Sequence, residues 1–323
     1  MPRLSARSHL LGLIAVVVVP VWLFAAYLLA EYAFNERGRF EREALQVARQ
    51  IGLVVEGDLR NLITVVEGLS KSPALANGDL PALQAEAARL VQGTDRIIVL
   101  RDLDQRQWLN TTLPYGTKLP PAPPLSKAEI ARLATGRPVV SDVYASPISN
   151  EFRIAVAIPV RGPMGESLVL ALTVPTTHIR DVMMPAVPDG WTIGVGDGHG
   201  NYVTRSQKHD EVTGKPGLPE YLEKVQGESG TFTSRNFQGI TLLAGYYRSA
   251  DSNWFYTANV PLSVVEAPLW RSLAAIGALG LVAMLVSTAL AYWMGNGFAR
   301  AARDLAARAE ALGSGSPVEP MSS

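Results

Sequence analysis

The residues whose spacing most resembles a chemical motif are four glycines in the stretch 194–201, "GVGDGHGN". A nucleotide-binding loop needs such glycines between a strand and a helix whose N-terminus holds phosphate. Here "NYVTRS" continues as a second strand, and no Gly-Lys-Ser/Thr follows. Asp197 and Asn201 are only weakly similar to calcium ligands, because the acidic ladder and the terminal glutamate are missing. Asp-Gly and Gly-Asn favour tight hairpin turns, so the stretch predicts a hairpin turn.

Side chains that could catalyse a reaction or hold a metal are few and widely spaced. The four histidines, at 9, 178, 199 and 209, show no metal-binding spacing such as H-E-x-x-H. Cysteine is absent, which removes disulfides, zinc thiolate sites and cysteine nucleophiles together. No serine lies in a G-x-S-x-G elbow. The sequence therefore predicts no catalytic residues, no metal site and no cofactor.

The charge balance and the distribution of apolar residues indicate a membrane protein. The 323-residue chain carries 29 Lys and Arg against 29 Asp and Glu, so nothing in its composition favours nucleic-acid binding. Its apolar residues are concentrated in two long runs. A cysteine-free region outside the cytoplasm suits a bacterial periplasm.

The two apolar runs predict two transmembrane helices. The first, residues 10–30, is uncharged and follows basic residues. A cleaved signal peptide is the alternative, but its apolar region would be only about 7 to 15 residues long. The second run, 272–297, is followed at once by arginines. About 20 apolar residues span a bilayer and basic residues mark its cytoplasmic side. We therefore expect a bacterial inner-membrane protein, with residues 1–9 and 298–323 cytoplasmic and a periplasmic region between the spans.

Residues 31–70 predict one long helix. No proline interrupts them, and apolar side chains recur at spacings of three and four, which places these side chains on one face. At 1.5 Å per residue the helix would be about 60 Å long, so it can continue the first span as a stalk and then form a wall of the domain. The apolar face suits a dimerising rod and packing on the helix's own domain equally well. That face consists of Val47, Ile51, Val55, Leu59, Leu62, Val66 and Leu69.

Beyond residue 70 the same order of elements is predicted twice: a hairpin, a short helix and three strands. In the first round, residues 71–184, the hairpin joins the runs 96–101 and 107–113, and a single strand is expected over 139–144. In the second round, residues 185–265, the hairpin surrounds the glycine turn. The repetition predicts an α+β fold with two tandem five-stranded antiparallel sheets that share the long N-terminal helix.

This organisation resembles the double Cache domain, a periplasmic PAS-like sensor of bacterial receptors, over about residues 31–271. The resemblance rests on "VVSDVYASPISNEFRIAVAIPVRGPMGES" in the first module and on "GDGHGNYVTRS", "GKPGLPEYL" and "LLAGYYRSADSNWFYTANVP" in the second. The tail "FARAARDLAARAEALGSGSPVEP" is similar to the first helix of a HAMP linker, as found in alphaproteobacterial sensor histidine kinases of the HWE type. Ala301 stands where that linker usually has proline.

The resemblance implies where a ligand would bind. The family's pocket lies against the sheet of the membrane-distal module, under the loops and short helices that follow its second strand. Many amino-acid-binding members carry an Arg-x-Trp-Tyr-like signature there, but this chain has "NTTLPYGTKLPPAPPL", so recognition of amino acids is not implied. An aromatic wall with one acid and one base suits a zwitterion or a carboxylate, although each side chain could equally serve a core, a turn or a solvated strand. The candidate ligand-binding residues are Trp108, Asn110, Tyr115, Asp142, Tyr144 and Arg153.

The expected function is the ligand-sensing and signalling part of a bacterial receptor. The first choice is a two-component sensor histidine kinase whose kinase domain is not in this chain, with a chemoreceptor or a diguanylate cyclase as alternatives. An ectodomain that binds a periplasmic protein is a second alternative, and a freestanding extracytoplasmic enzyme or transporter component is the competing class. The expected partners are a small polar ligand, the membrane and a second copy of the chain, because a lone C-terminal helix is marginal in water.

Overall fold

The computed structural model describes the backbone of residues 6–313. Side chains are described for residues 20–293, except 33 and 291. Parts of two predicted segments, the N-terminus 1–9 and the HAMP-like segment 298–323, therefore lie outside the described residues. The chain divides into two compact units, of which Gly38–Val265 is one.

The unit Gly38–Val265 is built on the long helix α1 (Ala6–Leu69), which confirms the helix predicted over 31–70. The predicted apolar face of α1 is buried in one continuous core that contains residues of both halves of the unit. Gly245 lies so close to the backbone of Ala44 that a Cβ there would overlap it. The face therefore packs on the helix's own domain, the second of the two predicted alternatives.

The first half of this unit is a sheet with the strand order β2-β1-β6-β5-β3, in which β4 also pairs with β5. All pairs are antiparallel. Three helices accompany the sheet, and Asp79 and Ser126 cap α3 and α4 through their side chains. The elements are α2 (Pro73–Asn77), α3 (Leu80–Val91), β1 (Ile97–Asp102), β2 (Gln107–Asn110), α4 (Lys127–Ala134), β3 (Val139–Val140), β4 (Tyr144–Ala145), β5 (Phe152–Arg161) and β6 (Ser167–Pro175).

The prediction of a single strand over 139–144 is wrong, because β3 and β4 are separate. Between them, the carboxylate of Asp142 accepts a hydrogen bond from the backbone N–H of Gly198, at 3.0 Å. The N–H of Val143 donates to Oδ2 of Asp197, at 3.3 Å. At Asp142 and Val143, polar contacts with the second half of the unit thus replace the backbone hydrogen bonds of a continuous strand. No local sequence pattern encodes such contacts.

The second half repeats the topology with the order β8-β7-β11-β10-β9, which confirms the two predicted antiparallel sheets and is consistent with tandem PAS-like domains. Helices α5 and α6 were not predicted, because they are short and begin without a side-chain cap or a proline in the first turn, the signals that marked α4 and α7. The elements are α5 (Thr176–Met183), a 3₁₀ turn (Met184–Ala186), β7 (Thr192–Gly196), β8 (Tyr202–Arg205), α6 (His209–Val212), α7 (Pro219–Leu222), β9 (Ser229–Arg235), β10 (Thr241–Arg248) and β11 (Phe255–Pro261).

The other unit holds the described parts of Met1–Arg37 and Glu266–Ser323. Helix α8 (Leu262–Gly313) begins directly after β11. Among the described residues it is the one helix long and apolar enough to cross a membrane, over Leu262–Leu290 with a mean hydropathy of 2.2. Two such helices were expected, but much of the first predicted span, 10–30, lies outside the residues with described side chains.

Candidate functional site

A cavity of about 390 Å³ lies on the face of the first sheet that points away from α1. Because side chains alternate along a strand, every second residue of β1, β5 and β6 faces this cavity, while their neighbours face the core. Small side chains at the centre of the floor leave the space open. The floor consists of Ile97, Val99, Arg101, Arg153, Ala155, Ala157, Val169, Ala171 and Thr173.

The second sheet carries aromatic side chains on the equivalent strands, where the first sheet has alanines. A separate cluster of buried aromatic side chains packs there against β10 and β11, with Tyr221 and Phe232 in edge-to-face contact at 4.9 Å. The hydroxyl of Tyr221 donates to Oδ1 of Asn259 at 2.6 Å. Burial raises the pKa of Tyr221, which keeps this hydroxyl protonated. The cavity on the first sheet is therefore the better candidate for a ligand site.

The roof of the cavity comes from the proline-rich loop, the start of α4 and the segment between β3 and β5. Ser126 and Glu129 form a reciprocal capping box, in which Oγ of Ser126 accepts from the N–H of Glu129 and Oε2 of Glu129 accepts from the N–H of Ser126. This arrangement satisfies two backbone donors that a helix start otherwise leaves free. It fixes the edge of α4 that contributes Leu125, Ser126 and Glu129 to the cavity wall.

Four of the six predicted site residues line the cavity: Asn110, Asp142, Tyr144 and Arg153. Trp108 does not, because the register of β2 against β1 shifts at this residue, and its ring packs on the main core instead. The guanidinium of Arg106 lies 5.3 Å from the centre of that ring. Tyr115 is 50% exposed and is likewise absent from the cavity wall.

Arg153 is only 3% exposed, and each nitrogen of its guanidinium already has a partner. Nε donates to Oγ1 of Thr173 at 3.1 Å, and Nη2 donates to the carbonyl oxygens of Thr173 and Asp95. Nη1 lies 3.4 Å from Oε2 of Glu151. Burial lowers the pKa of Arg153 without removing its charge. Arg153 thus contacts three segments at one end of the cavity, those that contain Asp95, Glu151 and Thr173.

Tyr144 lines the cavity together with Arg153. Burial raises the pKa of Tyr144 to about 12, and the nearby charge of Arg153 opposes that shift. The phenol is therefore neutral at physiological pH and can donate a hydrogen bond. Asn110 is buried, and its amide already donates to Gln107 and accepts from the N–H of Thr112.

Asp142 has both carboxylate oxygens engaged by the second half of the unit. Oδ1 accepts from the N–H of Gly198, and Oδ2 lies 2.5 Å from Nδ1 of His199. This contact with Asp142 raises the pKa of His199. In the same turn the fully buried Asp197 accepts from the N–H groups of Val143 and Asn201, and burial raises its pKa. The glycine stretch is thus a hairpin turn, as predicted, and it also contacts the cavity wall.

Arg101 lines the cavity and was missed by the sequence analysis. It is 5% exposed; Nε donates to the carbonyl of Asp102 at 3.0 Å and Nη1 to that of Pro123, while Nη2 is buried without a partner. Burial lowers the pKa of Arg101. The signal that could have revealed it is an arginine at the end of the apolar run "IIVL", on the same side of the strand as Ile97 and Val99.

The described residues contain no group of three or more His, Asp or Glu side chains placed to hold a metal ion. The side chains of the cavity wall can offer hydrogen bonds, a positive charge and apolar surface to a ligand. These contacts suit binding of a small molecule that has a polar end and an apolar part.

Comparison with known proteins gave matches only among solved structures: no family model matches the sequence, and no curated protein matches it. One match is the ligand-binding domain of the Pseudomonas aeruginosa PAO1 amino acid chemoreceptor PctB in complex with L-Arg. It is 16% identical over 69% of this chain and 95% of that chain, with a TM-score of 0.51.

Two further matches have the same architecture. The periplasmic sensory domain of the Campylobacter jejuni chemoreceptor Tlp1 is 12% identical over 72% of this chain and 99% of that chain, with a TM-score of 0.50. The extracellular domain of soHK1S-Z6, described as a histidine kinase, is 13% identical over 73% of this chain and 98% of that chain, with a TM-score of 0.53. This chain therefore shares its fold with periplasmic sensory domains of the Cache-like type.

Proposed function

We propose that this chain is the extracytoplasmic ligand-sensing and transmembrane-signalling part of a bacterial receptor. The observation that carries the proposal is the cavity on the first sheet, whose volume of about 390 Å³ lies within the range of about 300 to 1,000 Å³ typical of small-molecule sites. The fold shared with sensory domains of receptors supports it. Asn110, Asp142, Tyr144 and Arg153 form part of the proposed ligand-binding wall.

The proposed output is a two-component histidine kinase whose kinase domain is not in this chain. The HAMP-like tail, which resembles that of HWE-type kinases, supports this choice, and the match with soHK1S-Z6 agrees with it. The matches with PctB and Tlp1 favour a chemoreceptor, and a diguanylate cyclase is the third possible output. This chain itself would catalyse nothing. The gene sequence that follows residue 323 would decide between these outputs.

The proposed topology has two membrane spans, a periplasmic sensor and cytoplasmic termini in the bacterial inner membrane. Helix α8 supports one span by its length and composition. The other span is supported by apolar side chains of α1 that are largely exposed, among them Leu23, Phe24 and Tyr27. Such side chains are costly in water and favourable in lipid. Labelling of single cysteines from either side of intact cells would test this topology.

The sensing function is tested by blocking the cavity of the full chain in detergent. Ala157 lies in the floor, so Ala157→Leu should fill the space and abolish the thermal stabilisation that a small-molecule hit gives to the wild type. Ala85→Leu, on the exposed side of α3, is the matched control and should leave that stabilisation unchanged. A hit that stabilises Ala157→Leu as well as the wild type would exclude the cavity. A screen without any hit would favour the alternative of a periplasmic protein partner.

A further inference from the structure

We propose that the tip of the β9–β10 hairpin, residues 236–240, binds the lipid surface of the membrane through the side chains of Phe237 and Ile240. This inference rests on the proposed topology, in which α8 crosses the membrane. It adds a second contact with lipid, made by the unit Gly38–Val265 itself.

The tip lies at the end of the second sheet from which the chain leaves for the membrane. Strand β10 starts at Thr241, and its next residue, Leu242, pairs with Pro261, the last residue of β11. Helix α8 begins at the following residue, Leu262, where the stretch apolar enough to cross a membrane also begins. One end of the sheet therefore carries both the tip and the start of the membrane helix.

The tip is long enough to reach the lipid headgroups. The exposed Trp270 follows Leu262 by eight residues, and tryptophan is enriched at the headgroup level of membranes. At 1.5 Å per residue, this level is at most about 12 Å of helix away from Leu262. Gln238, at the apex of the tip, is separated from Leu242 by up to about 13 Å of extended chain. The two lengths therefore match.

The tip presents apolar side chains and no acid. Phe237 and Ile240 are 54% and 46% exposed, with the ring of Phe237 centred 6.4 Å from that of Tyr202. The stretch "RNFQGIT" contains one charged residue, the exposed Arg235, whose guanidinium can pair with lipid phosphates. Such neighbouring apolar side chains are costly in water and favourable in lipid.

The turn at the opposite end of β10 has the reverse character. Between β10 and β11, residues 249–253 include the exposed Asp251 and no large apolar side chain. The two ends of β10 are about 25 Å apart, because each residue of a strand adds about 3.3 Å. The polarity of the two turns thus differs as expected when only the end that carries the start of α8 contacts lipid.

The backbone of the tip is already hydrogen-bonded, so the tip can enter the headgroup layer without leaving these groups unpaired. Oδ1 of Asn236 accepts from the N–H groups of Gln238, at 2.9 Å, and Ile240, at 3.0 Å. The N–H of Gly239 donates to the carbonyl oxygen of Asn236, and the N–H of Asn236 donates to that of Ile240. A polar group that loses water without gaining a partner is costly, and these contacts avoid that cost.

The test uses spin labels on single cysteines of the full chain in vesicles of phosphatidylcholine and phosphatidylglycerol, since the chain has no native cysteine. A label at Gln238→Cys keeps both Phe237 and Ile240. Its collisions with oxygen, which dissolves in lipid, are compared with its collisions with a water-soluble nickel chelate. We expect the ratio of oxygen to nickel collisions at 238 to be severalfold higher than at Ala250→Cys, the matched control in the exposed turn at the other end of β10.

A charge in the tip should remove this contact. Phe237→Glu in the Gln238→Cys protein should lower the ratio to that of the Ala250→Cys control. Met164→Glu, at the exposed tip between β5 and β6, is the matched substitution and should leave the ratio at 238 unchanged. An unchanged ratio in Phe237→Glu would overturn the assignment of lipid contact to this side chain.

A label at Val282→Cys in α8 separates this inference from the proposed topology. A high ratio at 282 together with a low ratio at 238 would overturn the lipid contact of the tip and leave the membrane span in place. Slow collisions with both reagents at 238 would mean that protein, such as a second copy of the chain, covers the tip, and would also overturn the inference. A low ratio at 282 would overturn the topology and this inference with it.

Discussion

Asp142 belongs to the cavity wall and to the contact between the two halves of the unit Gly38–Val265 at the same time. Its carboxylate lies 2.5 Å from the ring of His199, which raises the pKa of that histidine. A raised pKa means that the folded state holds the proton more tightly than the unfolded state. The contribution of the pair to stability is therefore fully present below the ordinary histidine pKa of about 6.5. It is lost as the pH rises through the raised pKa of the folded state.

The corresponding prediction concerns Asp142→Asn. This change removes the charge that favours the imidazolium, so the pKa of His199 should fall towards its ordinary value, as measured by NMR titration of the histidine ring. The difference in melting temperature between the wild type and His199→Gln should also shrink as the pH rises. His178 contacts Asp58 instead and is the internal control: at a fixed pH its ring signals should be the same in the two proteins. An unchanged His199 titration would show that the short contact does not form in solution.

At the residue scale, the contacts of the candidate side chains could be predicted less well than the sheet face on which they lie. Asn110 and Tyr144 were proposed because the resemblance to a known fold points to that sheet face, and both line the cavity. The direction of Trp108 depends on a shift in strand register, and the partners of Asp142 come from residues more than fifty positions away. Neither follows from local pattern. Arg101 was missed because a charge in a strand is usually a solvated one.

At the scale of elements, a buried carboxylate joins α1 to the second sheet within the unit Gly38–Val265. Glu56 of α1 is buried, and its Oε1 accepts hydrogen bonds from the hydroxyls of Ser252, at 2.5 Å, and Tyr256, at 2.7 Å. Tyr256 lies in β11, which leads directly into α8. Burial and the nearby carboxylate raise the pKa of Tyr256, so its hydroxyl stays protonated and donates.

We predict that Tyr256→Phe lowers the free energy of unfolding by about 1.5 to 3 kcal/mol, because a hydrogen bond to a charged group is lost. Chemical denaturation of the purified chain would measure it. Tyr247→Phe is the matched control, since this ring stacks on Tyr256 at 6.3 Å in the same sheet. We expect it to cost clearly less. Equal effects of the two variants would show that ring packing rather than the Glu56 contact stabilises the junction.

Two glycines of α1 allow a second test of this junction. A Cβ on Gly52 would lie 2.7 Å from Cδ1 of Tyr247 and 3.0 Å from Cδ2 of Tyr256, whereas a Cβ on Gly57 would meet nothing within 4 Å. Gly57→Ala should therefore stabilise the protein by about 0.5 to 1 kcal/mol through helix propensity. Gly52→Ala should destabilise it by about 1 to 3 kcal/mol through overpacking. The two melting temperatures should move in opposite directions, and a common direction would contradict this packing of α1.

The elements themselves were predictable where a pattern repeats or is long. The apolar face of α1 and the two rounds of hairpin, helix and three strands were visible because period and order suffice to define them. The break between β3 and β4 and the short helices α5 and α6 were not visible. In these cases the local structure is set by contacts across the fold, such as that of Val143 with Asp197.

At the scale of the whole molecule, the proposed signal runs from the cavity to α8. The segment between β3 and β4 lines the cavity and is hydrogen-bonded to the turn between β7 and β8. Strand β7 pairs with β11, and β11 continues without a break into α8. A ligand can bias this path only by binding two arrangements with different affinities. If two copies of the chain associate, as expected from the sequence, two copies of each span would form a bundle with two such arrangements.

The packing within one chain indicates which face of α8 is free for a second copy. A Cβ on Gly280 would overlap the ring of Trp22, so this face of α8 is covered by α1. Ile276 and Ser287 lie on the same side at helical spacing and are also less exposed than their neighbours. Val282 and Leu285, 56% and 61% exposed, lie on the opposite side together with Ala289. Small residues such as Gly280 allow close approach of helices in membranes.

We therefore predict that single cysteines at 282, 285 and 289 form disulfide crosslinks between two copies in membranes, whereas cysteines at 276, 283 and 287 do not. Gly280→Leu should disturb the contact with Trp22 and weaken this distinction, while Gly277→Leu, whose added Cβ would meet nothing within 4 Å, is the matched control. A ligand of the cavity should change the crosslinking rates at 282, 285 and 289 relative to one another, because it favours one arrangement of the bundle. Crosslinking that is equal around the helix, or absent everywhere, would mean that α8 only anchors the chain, and that the signal does not pass through a dimer of this helix.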